Sequence, residues 1–139
     1  VILVDTNVVS EVLRLRPEPA VCDWLDGQAA ETLFISAISL AEIWVGITRL
    51  PDGQRKRALD SQASAQIERL FAGRVLGFDE AAARAFAGMM AAAGHRGLAI
   101  SLPDGLIAAT ALSHGLAVAS RDVAPFAASG LQVINPWLT

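Results

Sequence analysis

Val1-Ile2-Leu3-Val4-Asp5-Thr6-Asn7 sets four apolar residues directly against three polar ones. A short β-branched run bounded by turn-type side chains reads as a strand buried on both faces. Such strands belong to parallel sheets with helices on either side. The same passage from apolar stretch to acid recurs along the chain. Glu42 lies within Ser36-Ala-Ile-Ser-Leu-Ala-Glu-Ile-Trp44, just past Leu33-Phe34-Ile35. Asp104 opens Gly105-Leu-Ile-Ala-Ala-Thr-Ala-Leu112, and Asp122 follows Leu116-Ala-Val-Ala-Ser-Arg121.

Working outward from the first strand, Asn7 can cap a short helix through Leu13 that stops before Pro17 and Pro19. Pro19 starts a second helix with Val21, Trp24 and Leu25 inward. Residues 32–35 read as a second strand. Leu40, Ile43, Ile47 and Leu50 recur at helical spacing, so 39–50 reads as a helix. The turn Pro51-Asp52-Gly53 leads into a more polar helix over 55–72, with Leu59, Ala63, Ile67, Leu70 and Phe71 on its inner face. These two helices make a hairpin. Strands are expected at 74–78, 116–120 and 132–134, and helices at 79–93, 103–113 and 125–128. The expected fold is α/β: one domain over 1–139, with a mostly parallel central sheet of about five strands flanked by helices.

A chain of 139 residues that is 53% hydrophobic and 18% charged supports one well-buried core and excludes a disordered chain. Pro125, Ser129, Gly130 and Pro136 interrupt the longest uncharged stretch, so no membrane span is expected. No basic segment precedes an apolar one at the start, so no secretory signal is expected either. The single cysteine, Cys22, cannot form an internal disulfide or a thiolate zinc site; it reads as a small buried hydrophobe in a cytoplasmic protein. The net charge of −3 neither demands nor forbids a polyanionic substrate. Without the four acids, the ten remaining acidic residues nearly balance eleven Lys and Arg.

Two readings of the acids stand side by side. Ser39-x-x-Glu42 and Ser101-x-x-Asp104 match capping boxes, and Asp122 can cap the short helix after it. Asp79 has the same context and reads as a cap alone. Ligands of open α/β sheets, however, sit beyond the carboxyl ends of strands. Asp5-Thr6-Asn7 and Ser120-Arg121-Asp122 each put more polar groups there than one cap needs. If the acids meet, a cation must follow, because two carboxylates about 5 Å apart repel by about 3 kcal/mol at an effective dielectric near 20. Hard oxygen donors without Cys or His suit Mg²⁺ or Mn²⁺.

Asp5-Thr6-Asn7, Ser36-x-x-Ser-x-Ala-Glu42, Asp104-x-x-Ile-Ala-Ala-Thr110 and Ser120-Arg-Asp122 resemble, in order, the signature segments of PIN-domain ribonucleases. The likeness is to the VapC and FitB toxins of prokaryotic toxin–antitoxin pairs. It extends through Phe71-Ala-Gly-Arg-Val-Leu-Gly-Phe-Asp79 to Asn135-Pro-Trp137. The resemblance implies Mg²⁺- or Mn²⁺-dependent endonucleolytic cleavage of single-stranded or loop RNA. It implies catalytic acids at Asp5, Glu42, Asp104 and Asp122, with Asp5, Asp104 and Asp122 as metal ligands and Thr6, Asn7 and Ser120 in support. A cognate antitoxin, a homodimer, and contact with DNA only through the antitoxin are further implications. Ser120 stands where Thr is commoner, and Pro103 where a small residue is usual.

Arg49, Arg55, Lys56 and Arg57 flank the hairpin turn, and Arg14 and Arg16 form a second basic group. A solvated helix end is the ordinary account. With Arg121, they are also the candidate RNA contacts. Trp44 reads as packing, Trp137 as a tack for the C-terminus, and His95 and His114 as a loop residue and a helix end without ligand-spaced partners. Two rival functions remain. A phosphoacceptor signalling domain would use the same Mg²⁺ pocket but needs a lysine at a strand end, and Lys56 is the only lysine. A non-catalytic PIN-like interaction module would have no need of four acids.

Overall fold

The computed structural model describes residues 1–139. Its strands are β1 (Ile2–Val4), β2 (Leu33–Ser36), β3 (Val75–Leu76), β4 (Ala117–Ala119) and β5 (Val133–Ile134). They form one sheet in the order β3-β2-β1-β4-β5, with every pairing parallel. Alternation along the central strand divides the core. Ile2 and Val4 join Leu33, Ile35 and Ala119 on one face, whereas Leu3 joins Val118 on the other.

The first face is covered by α1 (Thr6–Val12), α2 (Pro19–Asp26), α3 (Ala37–Thr48) and α4 (Gln54–Phe71). These bring Val8, Val9, Val21, Leu25, Ile43, Ile47 and Phe71 into contact with the strands. The expected hairpin is α3 and α4, and Lys56 ties its turn, donating to the Thr48 carbonyl at 3.0 Å and to Asp52 at 3.1 Å. The second face is covered by α5 (Glu80–His95), α6 (Leu102–His114) and α7 (Val123–Ala128), which contribute Met89, Ile107, Ala108 and Phe126. Gly105 lets α6 approach α5 closely, because a Cβ there would lie 2.9 Å from Cε1 of Phe86. Gly115, with φ +67°, ends α6 in the left-handed conformation glycine favours.

Several boundaries differ from expectation, and the two helix starts differ for a capping reason. Asp5, not Asn7, caps α1, its carboxylate accepting from the Thr6 N–H at 2.8 Å. Ser36, not Ser39, caps α3 by accepting from the Ser39 N–H at 3.0 Å, so the helix starts two residues early. Glu42 is thereby mid-helix, and the expected Ser39–Glu42 capping box does not exist. Asp79 caps α5 as read, accepting from Ala82, while α5 runs on through His95, which is not a loop residue. Cys22 is half-buried against the first core. No helix is long and apolar enough to cross a membrane.

Candidate active site

The strand order reverses between β1 and β4: the chain proceeds from β1 outward through β2 to β3, then returns to lay β4 on the other side of β1. Helices leaving the two strands diverge there, opening a crevice at their carboxyl ends. Asp5 stands at the end of β1, and Ser120, Arg121 and Asp122 stand just past β4. A cleft of about 440 Å³ occupies this point and is lined by Asp5, Thr6, Asn7, Glu42, Asp104 and Asp122, together with Ser10, Glu11, Arg14, Arg121 and Trp137. Four acids far apart in sequence, carried by two helices and the ends of two strands, therefore face one cavity. Asp5 is both a cap and a wall of the cleft, so the two readings of the acids were never exclusive.

The supporting hydroxyl and amide groups link the acids. The Ser120 hydroxyl donates to Asp5 Oδ2 at 2.7 Å and accepts from Asn7 Nδ2 at 3.2 Å and from the Asp122 N–H at 3.0 Å. Asn7 Nδ2 also reaches Asp122 Oδ2 at 3.5 Å, and Asn7 Oδ1 accepts from the Arg121 N–H. Thr6 Oγ1 donates to Glu42 Oε1 at 2.8 Å, tying α3 to the start of α1. Asp104 occupies the first turn of α6, whose cap Ser101 accepts from the Asp104 N–H at 3.3 Å. Asp122 sits at the head of α7 but makes no side-chain cap bond, leaving its carboxylate to the cleft.

Asp5 is 4% exposed, while Glu42 and Asp122 are exposed and Asp104 is half-buried. Burial pushes the Asp5 carboxyl up to about 6, the Ser120 and Thr6 hydrogen bonds oppose the rise, and the charges of Asp104 and Glu42 add to it. A neighbouring cation would reverse that penalty. The donors are all hard oxygens, with no Cys or His on the cleft wall. As the side chains stand, no three of the acids are drawn together around one point. Asp5, Asp104 and Asp122 nevertheless face the same cleft, so in donor chemistry the residues fit Mg²⁺ or Mn²⁺.

The basic residues divide. Arg14, Arg16 and Arg55 line a larger groove of about 910 Å³ floored by Leu13, Ile43, Ile47 and Leu59. This groove meets the acidic cleft at Ser10, Arg14 and Glu42. Lys56 and Arg57 line a separate hollow with Asp52 and Asp60, and Arg49 is exposed at the end of α3. The cluster 55–57 therefore splits, only its first residue facing the groove. Lys56, bound within the hairpin, is absent from the acidic cleft, which removes the lysine a phosphoacceptor site requires.

Glu11 is a residue the sequence reading did not single out. It is 4% exposed, accepts from Arg14 at 3.2 Å and from the Glu18 N–H at 3.0 Å, and so fixes Arg14 where cleft and groove join. The available signal was an acid within the buried stripe of Val8, Val9 and Val12.

With this fold and cleft, the chain belongs to the PIN-domain family, whose family model matches residues 2–128. It is similar to the VapC ribonuclease Y4jK of Sinorhizobium fredii, at 46% identity over 98% of this chain and 97% of that protein. It is likewise similar to the toxin FitB of Neisseria gonorrhoeae, at 44% identity over 98% of each. The solved structure of FitAB bound to an IR36 DNA fragment superposes with a TM-score of 0.93 at 43% identity, covering 99% of this chain and 96% of that one.

Proposed function

We propose that this chain is a metal-dependent endoribonuclease and the toxin of a type II toxin–antitoxin pair, cutting single-stranded or loop RNA. The observation that carries the reading is the convergence of Asp5, Glu42, Asp104 and Asp122 on one cleft at the switch point of the sheet. The ribonuclease and toxin relatives give it its direction. In this reading Asp5, Asp104 and Asp122 would hold Mg²⁺ or Mn²⁺, and Glu42 would orient the attacking water. A bound divalent cation supplies an acidified water and neutralises charge building on the phosphoryl oxygens. Thr6 keeps Glu42 turned toward the cleft, while Ser120 and Asn7 hold Asp5 and Asp122 at a fixed separation.

The groove carrying Arg14, Arg16 and Arg55 is the path for the RNA backbone, since its cations bind phosphates and its apolar floor accepts unstacked bases. A cognate antitoxin occludes this face, and DNA is met only through that partner. The protein acts as one domain over 1–139, as a homodimer in the cytoplasm.

Purified protein should cleave unstructured RNA in Mg²⁺ or Mn²⁺ and stop in EDTA, leaving double-stranded DNA intact. Glu42→Gln and Asp122→Asn should fold, by circular dichroism, and fail to cleave. Cleavage that persists in both variants, or in EDTA, sinks the proposal.

A further inference from the structure

Arg121 is set among five carboxylates, those of Asp5, Glu11, Glu42, Asp104 and Asp122, on the wall of the acidic cleft. It pairs with none of them. The ion pairs of the molecule are Arg14–Glu11, Lys56–Asp52, Arg69–Asp26 and Arg84–Glu80. The Arg121 guanidinium instead lies over the Trp137 ring, 5.1 Å from its centroid. A cation on an indole face keeps its N–H groups, which point outward from the edge of the guanidinium plane. The result is an exposed, unpaired fork of donors beside the acids.

Trp137 is placed there by the sheet. Ala119 pairs with Ile134, and the Ser120 N–H donates to the Ile134 carbonyl at 2.9 Å, so β4 and β5 end side by side. Just beyond β5, Asn135 caps a 3₁₀ turn over Pro136–Leu138, accepting from the Trp137 N–H at 3.0 Å. Pro136 is buried and Trp137 rests against the first core. The indole is therefore a fixed shelf under the one residue between Ser120 and Asp122.

We propose that Arg121, held on Trp137, is the phosphate clamp of the cleft, donating to a non-bridging oxygen of the RNA backbone at or next to the bond that is cut. The inference rests on the ribonuclease reading. Its chemistry follows from charge: an RNA phosphate entering a ring of carboxylates needs a cation the carboxylates have not neutralised. Trp137 is a positioning residue that keeps the guanidinium off those carboxylates until substrate arrives.

Steady-state cleavage and a double-substitution cycle test the pair. Arg121→Ala should lower kcat/KM about 30-fold, and Arg121→Lys should recover only part, since lysine lacks the planar fork. Trp137→Ala should cost about fivefold and Trp137→Phe less, in keeping with the size of cation–π contacts. In the Arg121→Ala background, Trp137→Ala should cost less than twofold. A role for Trp137 in folding alone predicts the same loss in both backgrounds, and that result overturns the shelf. If Trp137→Ala does not fold, the comparison is made with Trp137→Phe.

A second arm does not depend on cleavage. With Glu42→Gln protein in Mn²⁺, a fluorescent oligoribonucleotide should bind about tenfold more weakly once Arg121→Ala is added, and the slope of log affinity against log salt should fall by about 0.7. An unchanged slope, or no binding by the Glu42→Gln protein at all, overturns the clamp. Wild-type protein that binds RNA through Arg121 without cleaving it would instead overturn the ribonuclease reading and leave Arg121 only as a contact to the RNA backbone.

Discussion

A carboxyl that ionises at its ordinary 3.8 in the unfolded chain but near 6 in the folded one makes folding compete with charge at Asp5. Between those values the folded state holds the proton more firmly, so stability of the metal-free protein falls as pH rises from about 4 to about 6 and then levels off. The full difference is worth about 3 kcal/mol. Asp5→Asn removes the charge but not the Thr6 cap. It also turns an amide donor toward Ser120 Oγ, which already accepts from Asn7 and Asp122, so part of the gain is lost. In EDTA at pH 7.5, Asp5→Asn should therefore melt higher than wild type, by about 1 kcal/mol or about 3 °C, with the difference gone at about pH 5.5 and reversed by pH 4. A thermal melt series across that range checks it, and a lower melting point for Asp5→Asn at pH 7.5 would count against the burial account. Mn²⁺ should raise the melting point of wild type and not of the variant. The acid whose burial weakens the empty fold is thus one of the three proposed to hold the ion.

The α5–α6 contact places Asp104 through a glycine. Gly105→Val drives two methyl groups toward Phe86, Met89 and Met90, so α6 must back away from α5, at a cost of about 1–3 kcal/mol. Denaturant unfolding should show that loss, and Mn²⁺ affinity should fall with it because Asp104 moves with the first turn. Unchanged stability would mean that Phe86 simply rotates aside. Nothing in the sequence around Gly105 announces this, since the partner side chains belong to another helix. What periodicity could reach, it reached: the β-branched run 1–4, the helical spacing of Leu40, Ile43 and Ile47, and the acids at element ends. It misjudged starts, because Ser36 and Ser39 are both fit caps and only packing chooses between them, as the buried Ser36–Ser39 hydroxyl pair does. It gave Trp137 a purely structural role, because its contact with Arg121 depends on β4–β5 register and not on any local pattern. The placement of Glu11 stayed hidden for the same reason: a buried acid looks like a surface one until its partners are known.

Across the molecule, charge is arranged as an acidic cleft opening into a cationic groove, though the net balance suggests neither. Replacing Arg14, Arg16 and Arg55 together with Ala should weaken RNA binding and reduce the salt slope by about 2, whereas Lys56→Ala with Arg57→Ala should leave the slope nearly unchanged. Equal effects from the two sets would return the RNA path to the hairpin tip. The strand order has a further meaning in time. Asp5 and Ser120 bond across 115 residues of chain, and β1 acquires its neighbour β4 only after the first three strands and six helices have been made. Chains are threaded out from the N-terminus and fold in that order. While the growing chain is still short of β4, Asp5 has no Asp122 opposite it, and Arg121, once made, has no shelf until Trp137 follows. A nuclease laid out this way has no complete cleft until the segment carrying β4 and β5 has been made and has joined the sheet.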